Sequence, residues 1–514
     1  MSTGWNNRRE DLLRALQSIG SAGRAESEAE EKLGLSYYPV PEHLRILEPE
    51  VVLAVGPRGA GKTEIARVLT DGRLASAIVA YAKGVRLPKG SADWLKGYPR
   101  EREIFDARGL RAYIQGPSNE ATELVSELWF AYLLRLLKDR LDDKAKTDLR
   151  EFLQLQGGDI NGNYNAFRAA GQQPLLALDR LDERLQQEEK FVFVTYDELD
   201  TLGGTDWSAM EAGVRGLVAF LASYARRWKR IRAKIFLRSD LYDRFATAGG
   251  ADLAKLAANR VDLAWSGADL YAMLLKRIAN TSPELGEYVK SVKSRIEWQE
   301  VPALGQLPKM GTWQDARPVV ERMLGPYMGA NKKKGLVYRW LLDHVRDGRG
   351  RALPRPFVRL IEEGAHIELQ ERRSLREPRL LEPSSIRRTL DRVSEEHVAH
   401  ARDEWPWLDM IKVKFKGQLV PWNGERDVLK LLRFDAGSTS DKRPPFDDRE
   451  LLAYLIEIGI LRRRSESDGR IDAPDLFLYG LGLLRKGVMM RLANGAAAGL
   501  LTRRSGALEP PSML

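Results

Sequence analysis

One segment constrains this chain more than any other, because it fits the phosphate-binding pattern G-x-x-x-x-G-K-[ST]: Gly56-Pro57-Arg58-Gly59-Ala60-Gly61-Lys62-Thr63. Its glycines let the backbone turn tightly and aim N–H groups at phosphate oxygens. We expect Lys62 to reach the β- and γ-phosphates of a nucleotide, and the Thr63 hydroxyl to ligate Mg²⁺. Apolar residues over 51–55 and 65–69 predict a strand before the loop and a helix after it. The predicted nucleotide-binding segment covers the motif and Glu64, at a helix N-terminus whose dipole favours negative charge.

An acidic pair, Asp197-Glu198, directly follows the apolar run over 191–196. In open α/β sheets, ligands bind outside the carboxyl ends of the strands, so this pair is predicted to face the phosphates. Hydrolysis of a nucleotide needs a carboxylate for Mg²⁺ and a group that positions the attacking water. We expect Asp197 to hold the metal and Glu198 to activate the water. The alternative is an acidic pair in a surface turn.

Two arginines are candidates for the positive charge that the γ-phosphate needs. Arg238 ends the apolar run over 233–237, where a polar residue senses the γ-phosphate in P-loop ATPases with an inserted central strand. Its alternative role is an ion pair with Asp240 or Asp243. Arg355 lies where a helix is predicted to begin and would reach the nucleotide from a helical lid, its alternative being a surface position.

The order of predicted elements indicates an α/β protein. Strands over 51–55, 191–196, 233–237 and 261–265, separated by helices, predict a P-loop NTPase parallel sheet flanked by helices. A further strand is predicted over 110–114. A helical lid and a C-terminal winged-helix-like module are expected to follow, because a helix over 447–458 precedes a basic hairpin with strands over 460–464 and 471–479. The predicted divisions are an N-terminal helical arm (1–36), the ATPase core (37–270) with a helical insertion at about 71–190, the lid (271–400), the winged-helix-like module (401–493) and a flexible tail (494–514).

Composition narrows the chemistry and the compartment. The 514 residues include no cysteine and five histidines, which excludes disulfides, cysteine–zinc sites and cysteine nucleophiles and fits a reducing cytoplasm. The N-terminus lacks the apolar core of a signal peptide. The most apolar helix candidate, over 124–137, is too short to span a bilayer, so we expect a cytoplasmic protein with no membrane partner.

The motifs, in their order along the chain, resemble AAA+/STAND-like P-loop ATPases. They are the segment from Gly56 to Thr63, the pair Asp197-Glu198, Arg238-Ser239-Asp240 and Arg355-Pro356. The resemblance is closest to bacterial members near the KAP, NACHT and origin-recognition-type groups, and the segments 238–241, 262–265 and 274–278 look like a subset encoded in phage-defence loci. It implies ATP and Mg²⁺ as cofactors and a homo-oligomer. The interval of about 130 residues between the P-loop and the acidic pair is longer than in that group. The lid arginine precedes a proline rather than standing in a G-x-R context, and no transmembrane insertion of the KAP kind is evident.

The sequence is compatible with three functions. The first is an ATP-driven switch that controls a partner protein, in anti-phage defence if the resemblance extends that far. The second is a DNA-acting loader or remodeller, supported by the net charge of +10 and by basic clusters at 372–373, 387–388, 412–416 and 462–464 near Trp405, Trp407 and Trp422. Those tryptophans could instead fill a small core. The third is a nucleotide-binding scaffold with little hydrolysis, against which the complete set of Lys62, Thr63, Asp197 and Glu198 argues.

Overall fold

A computed structural model describes most of the chain: residues 2–20, 30–98, 118–155, 160–202, 207–224, 227–247, 256–402, 405–434, 444, 446–465 and 469–486. The strand predicted over 110–114 and the tail predicted over 494–514 lie outside the described residues.

The centre of the structure is a five-stranded sheet in the order β2-β3-β4-β1-β5, with every neighbouring pair parallel. Its strands are β1 (Leu53–Gly56), β2 (Ser91–Tyr98), β3 (Lys190–Tyr196), β4 (Ile231–Arg238) and β5 (Val261–Asp262). Insertion of β4 between β1 and β3 places Gly56 beside Arg238 in register. The predicted strands at 51–55, 191–196 and 233–237 are confirmed with shifted ends, and the one at 261–265 is shorter than predicted. The edge strand β2 was not predicted, because its sequence holds no β-branched residue.

Helices cover both faces of this sheet. Leu53 and Val55 of β1 face one core, and Ala54 faces the other, as the two-residue period of a strand requires. The helices up to the end of β5 are α1 (Ser2–Leu16), α2 (Glu30–Ser36), α3 (Lys62–Thr70), α4 (Gly72–Tyr81), α5 (Ser118–Leu136), α6 (Asp143–Asp148), α7 (Arg150–Gln154), α8 (Ile160–Ala169), α9 (Gln173–Gln187), α10 (Trp207–Tyr224) and α11 (Ser239–Thr247). Short 3₁₀ helices lie at His43–Leu47, Lys138–Arg140 and Leu199–Thr201.

A helical lid follows the sheet. Its helices are α12 (Gly267–Thr281), α13 (Pro283–Lys290), α14 (Arg317–Leu324), α15 (Val337–Asp343), α16 (Pro354–Glu371) and α17 (Pro383–Ala401), with 3₁₀ turns at Trp313–Ala316 and Lys332–Lys334. A hairpin of β6 (Glu297–Val301) and β7 (Gly305–Lys309) interrupts the helices, and this hairpin was not predicted from the sequence. The segment predicted as an N-terminal arm is docked on this lid, since Leu12, Leu13 and Leu16 of α1 are buried in the core shared with α16.

The C-terminal module is a winged helix. Its elements are α18 (Leu408–Phe415), β8 (Leu419–Val420), α19 (Glu425–Leu432), α20 (Asp448–Glu457), β9 (Arg462–Arg463), β10 (Ile471–Asp472), α21 (Asp475–Leu478) and β11 (Leu484–Arg485). Strands β9 and β10 pair antiparallel, and Trp422 bridges to Ile471, so the wing joins the strand that follows α18. The second wing strand was predicted to run to residue 479 and ends at Asp472, because Pro474 opens a helical turn. Trp407 and Trp422 are buried in the core of the module.

Candidate nucleotide site

The P-loop has the backbone that its sequence predicts. Gly59 and Gly61 adopt φ values of 81° and 97°, a region that side chains with a Cβ rarely enter. A Cβ on Gly56 would lie 2.9 Å from the Cβ of Leu263. The Lys62 ammonium donates hydrogen bonds to the carbonyls of Gly56 (2.9 Å) and Pro57 (3.0 Å). These bonds hold the Lys62 side chain against the P-loop. The loop is thus closed on itself and leads directly into α3.

Asp197 and Thr63 meet at the end of β3. Asp197 is only 5% exposed, and its carboxylate accepts a hydrogen bond from the Thr63 side chain. Burial raises the pKa of Asp197, while Thr63 and the Lys62 ammonium act in the opposite direction. No cluster of three or more His, Cys, Asp or Glu side chains suited to a metal occurs among the described residues. One carboxylate and one hydroxyl fit Mg²⁺, which keeps several waters and takes further oxygens from substrate phosphates.

Glu198 has an unusual backbone. Its φ and ψ of 51° and 32° lie in the left-handed region, which costs a residue with a Cβ about 1–2 kcal/mol. Its carbonyl accepts bonds from the Thr201 amide (2.9 Å) and hydroxyl (2.8 Å), which hold this turn. The half-buried side chain lines the same cleft as Lys62 and Asp197. The turn thus places Glu198 directly beside the buried Asp197 at the end of β3, and its role with the attacking water stays a prediction.

Arg238 lines the cleft and is held by carboxylates. It binds Asp240 through two nitrogens, at 3.1 and 2.8 Å, and Asp200 at 3.0 Å. The ion pair with Asp240 is the alternative that the sequence left open, and the structure contains it. Because β4 runs beside β1, the side chain still lies next to the P-loop. Its γ-phosphate-sensing role stays a prediction.

Lid helices close the other side of a cleft of about 800 Å³. Arg355, in the first turn of α16, lines it, and its contact with a nucleotide stays a prediction. Arg359, one turn later, binds Glu362 (3.1 Å), Glu363 (2.6 Å) and Glu396 (2.8 Å), so its charge is already matched by carboxylates.

Several residues of the site were not predicted individually. Arg277 of α12 binds Glu64 at 3.0 Å, with side chains only 9% and 14% exposed, so the predicted nucleotide-binding residue Glu64 anchors α3 to the lid. The Trp265 indole donates to the Ala60 carbonyl at 2.9 Å. Gly20, just beyond α1, lines the cleft and donates its amide to Glu362 at 2.6 Å. Arg277 and Trp265 lie within segments singled out by resemblance, whereas nothing in the sequence pointed to Gly20.

Comparisons with known proteins find only distant structural similarity. No family model and no curated protein matches the chain. The similar solved structures include the Aeropyrum pernix ORC2 protein in ADPNP–ADP complexes (13% identity, 90% of this chain and 92% of that chain, TM-score 0.37). Another is Cdc6p from Pyrobaculum aerophilum (11% identity, 91% of this chain and 96% of that chain, TM-score 0.32). A third is the Aeropyrum pernix ORC1 protein in complex with DNA (12% identity, 88% of this chain and 95% of that chain, TM-score 0.33). Across the described part of the chain, no helix is long and apolar enough to cross a membrane. The strand order and the loop geometry show that the chain has the P-loop NTPase fold, followed by a helical lid and a winged helix.

Proposed function

We propose that this protein binds ATP with Mg²⁺ and hydrolyses it. The observation that carries the proposal is the meeting of Lys62, Thr63, Asp197 and Glu198 in one cleft, with Thr63 hydrogen-bonded to the buried Asp197. These residues come from sequence positions more than a hundred apart and supply each part that phosphoryl transfer to water needs. A scaffold that only holds nucleotide would not need a carboxylate beside the metal ligand.

Each residue has a distinct task in this proposal. The P-loop amides and Lys62 hold the phosphates, and Thr63 and Asp197 would hold Mg²⁺, which would neutralise charge on the phosphate oxygens. Glu198 accepts the proton of the attacking water and orients it. Arg238 and Arg355 offer positive charge from β4 and from the lid. Because the cleft lies between the sheet and α16, phosphate binding changes the contacts that the lid makes.

We further propose that ATP hydrolysis drives a conformational switch that acts on a partner protein, and that the protein works as a homo-oligomer. The effector and the anti-phage role rest on family resemblance alone. The charge of the winged helix favours a protein partner over insertion of α20 into the major groove of DNA. That helix and its cap carry four acidic residues and a single arginine: Asp447, Asp448, Glu450, Glu457 and Arg449. Such a surface repels DNA phosphates.

DNA binding remains the second candidate, supported by the wing. Arg463 and Arg464 are exposed there, and the chain has a net charge of +10. Part of this charge is used within the module, because Arg462, Arg464 and Arg485 all approach the fully buried Asp472, at 3.3, 3.8 and 2.7 Å. Arg463 in turn contacts the Glu425 carboxylate, so both exposed arginines already have carboxylate partners and the wing offers no extended basic face.

The test is ATP turnover by wild type and Glu198→Gln, with and without double-stranded DNA. The matched control is Glu189→Gln, because Glu189 is exposed at the opposite end of β3 and has the same left-handed backbone (φ 52°). We expect Glu198→Gln to lower turnover by at least about 100-fold while it still binds ATP, and the control to be unchanged. Stimulation by DNA that disappears at high salt would move the second candidate to first place. Wild-type turnover equal to that of Glu198→Gln would refute the assigned role.

A further inference from the structure

One helix of the lid presents a regular stripe to the nucleotide cleft. Val393, Glu396, His397 and His400 of α17 line it at positions that recur every three or four residues, so they lie on one face. Glu396 on this stripe is already bound by Arg359 at 2.8 and 3.0 Å. The two histidines are ionisable groups of the stripe to which the roles above assign nothing.

The cationic side chains near these histidines come from two other elements. Arg58 belongs to the P-loop and Arg355 to the first turn of α16, and both line the same cleft. The charges that act on His397 are those of His400, Arg355 and Arg58. From the winged helix, α21 presents the Phe477 ring, while the nearby Asp475 pairs with Arg485 at 2.8 Å. Two arginines from separate elements thus share one stretch of the cleft lining with the two histidines, and guanidinium groups are well suited to bind a phosphate.

We propose that Arg58, Arg355, His397 and His400 form a subsite for the terminal phosphate of a nucleoside triphosphate, in which the two arginines supply positive charge, and that His397 transmits the occupancy of this subsite to the winged helix through Phe477. This inference rests on the proposed ATP function. It adds lid histidines as nucleotide contacts, and it gives the winged helix a direct link to the state of the nucleotide.

The contact between the lid and the winged helix is suited to transmit a small movement. The His397 ring packs edge-on against Phe477, with centroids 4.9 Å apart and planes at 69°. The Gly480 amide donates to the Ser394 hydroxyl at 2.8 Å, and a Cβ on Gly480 would lie 2.4 Å from the Ser394 carbonyl oxygen. α17 and α21 are therefore in close contact, and a shift of the histidine face moves the module.

The charge state of His397 agrees with this role. Burial lowers its pKa to about 3, and the charges of His400, Arg355 and Arg58 act in the same direction. The ring is thus neutral at pH 7 before phosphate arrives. A neutral imidazole keeps one N–H, which can donate a hydrogen bond to a phosphate oxygen.

The first test compares ATP and ADP affinity in a Glu198→Gln background, which prevents turnover, using fluorescent nucleotide analogues with Mg²⁺. We expect His397→Gln and His400→Gln to weaken ATP binding about tenfold and leave ADP binding unchanged, the size of one charge-assisted hydrogen bond. The control is His366→Gln, because His366 lies on α16 outside the cleft and bonds to Gln17 and Gln370. An ATP-to-ADP affinity ratio equal to that of the parent in both variants would overturn the subsite.

The second test measures hydrogen exchange in residues 475–486 with ATP and with ADP. We expect ATP to change exchange there in the parent, and Phe477→Leu to abolish this change while it keeps the ATP-to-ADP affinity ratio. A change that persists in both Phe477→Leu and His397→Gln would overturn the transmission. If the parent bound no nucleotide, the proposed function would fail with it. If ATP turnover depends on Glu198 and the histidine variants keep the parent's ATP-to-ADP affinity ratio, only the inferred phosphate subsite fails.

Discussion

The N-terminal helix carries two arginine–carboxylate pairs of equal length and opposite exposure. Arg9 binds Glu368 of α16 at 2.6 Å, with side chains 5% and 0% exposed. Arg14 binds Glu10 at the same distance, with side chains 67% and 54% exposed. Arg9 also donates to the Leu380 carbonyl at 3.0 and 2.7 Å. The substitutions Arg9→Met and Arg14→Met therefore compare a buried and an exposed arginine–carboxylate pair on the same helix, and Arg9→Met also removes the bonds to the Leu380 carbonyl.

Burial decides the expected magnitude. Arg9→Met leaves the Glu368 carboxylate in the core with bonds from the Ser385 hydroxyl and the Glu382 amide but without a cation. Removal of one partner of a buried pair costs about 3–5 kcal/mol, because the remaining charge stays desolvated. Exposed pairs contribute about 0.2–1 kcal/mol, since water solvates both partners when the pair breaks. We expect the free energy of unfolding to fall by about 3 kcal/mol or more in Arg9→Met and by under about 1 kcal/mol in Arg14→Met.

Urea denaturation followed by tryptophan fluorescence measures these losses, and hydrogen exchange over residues 2–16 shows whether α1 detaches. A double variant, Arg9→Met with Glu368→Gln, should recover part of the loss, because a neutral amide is less costly to bury than a carboxylate. Equal losses in Arg9→Met and Arg14→Met would refute the reasoning. So would unchanged exchange over α1 in Arg9→Met, since that pair is argued to fasten the helix to the lid.

Three further predictions concern the sheet and the site. Burial raises the pKa of Asp197, so its carboxyl stays protonated to higher pH than in an ordinary aspartate, and ATP turnover should fall as the pH drops through that raised pKa and recover with added Mg²⁺. Turnover rates measured against pH at two Mg²⁺ concentrations check this, and a loss of turnover at low pH that does not depend on Mg²⁺ would contradict it. The Asp182 carboxylate accepts hydrogen bonds from the backbone amides of residues 229–231, at 2.9, 2.7 and 2.9 Å, where β4 begins. Asp182→Asn should therefore lower the free energy of unfolding, measured by urea denaturation, by roughly 1.5–3 kcal/mol, and a loss below about 0.5 kcal/mol would count against this prediction. Gly56→Ala places a Cβ 2.9 Å from the Cβ of Leu263, so it should lower the free energy of unfolding by about 1–3 kcal/mol and weaken nucleotide binding. A nucleotide titration with the wild-type affinity would contradict this, because it would show that the P-loop can accommodate the added methyl group.

The sequence by itself determined the features that are written in contiguous residues. The P-loop pattern requires glycine at positive φ and a lysine at a fixed spacing, and both lie where the pattern predicts. The acidic pair was predictable for the same reason, since an apolar run followed by Asp197 and Glu198 marks the carboxyl end of a buried strand. The helix that carries Arg355 and the winged-helix outline were also predictable from local period and turn signals.

Only the tertiary structure decided which distant groups meet. Glu64 finds Arg277 and Arg9 finds Glu368 across 213 and 359 residues, and no local pattern encodes such partners. The edge strand β2 lacked β-branched residues, so pairing with β3, not propensity, makes it a strand. No local pattern distinguishes His397 from other helical residues, and only the packing of the chain makes it line the nucleotide cleft and contact Phe477 of the winged helix. Local chemistry is set by neighbours along the chain, whereas the electrostatics of a cleft depend on how separate elements pack around it.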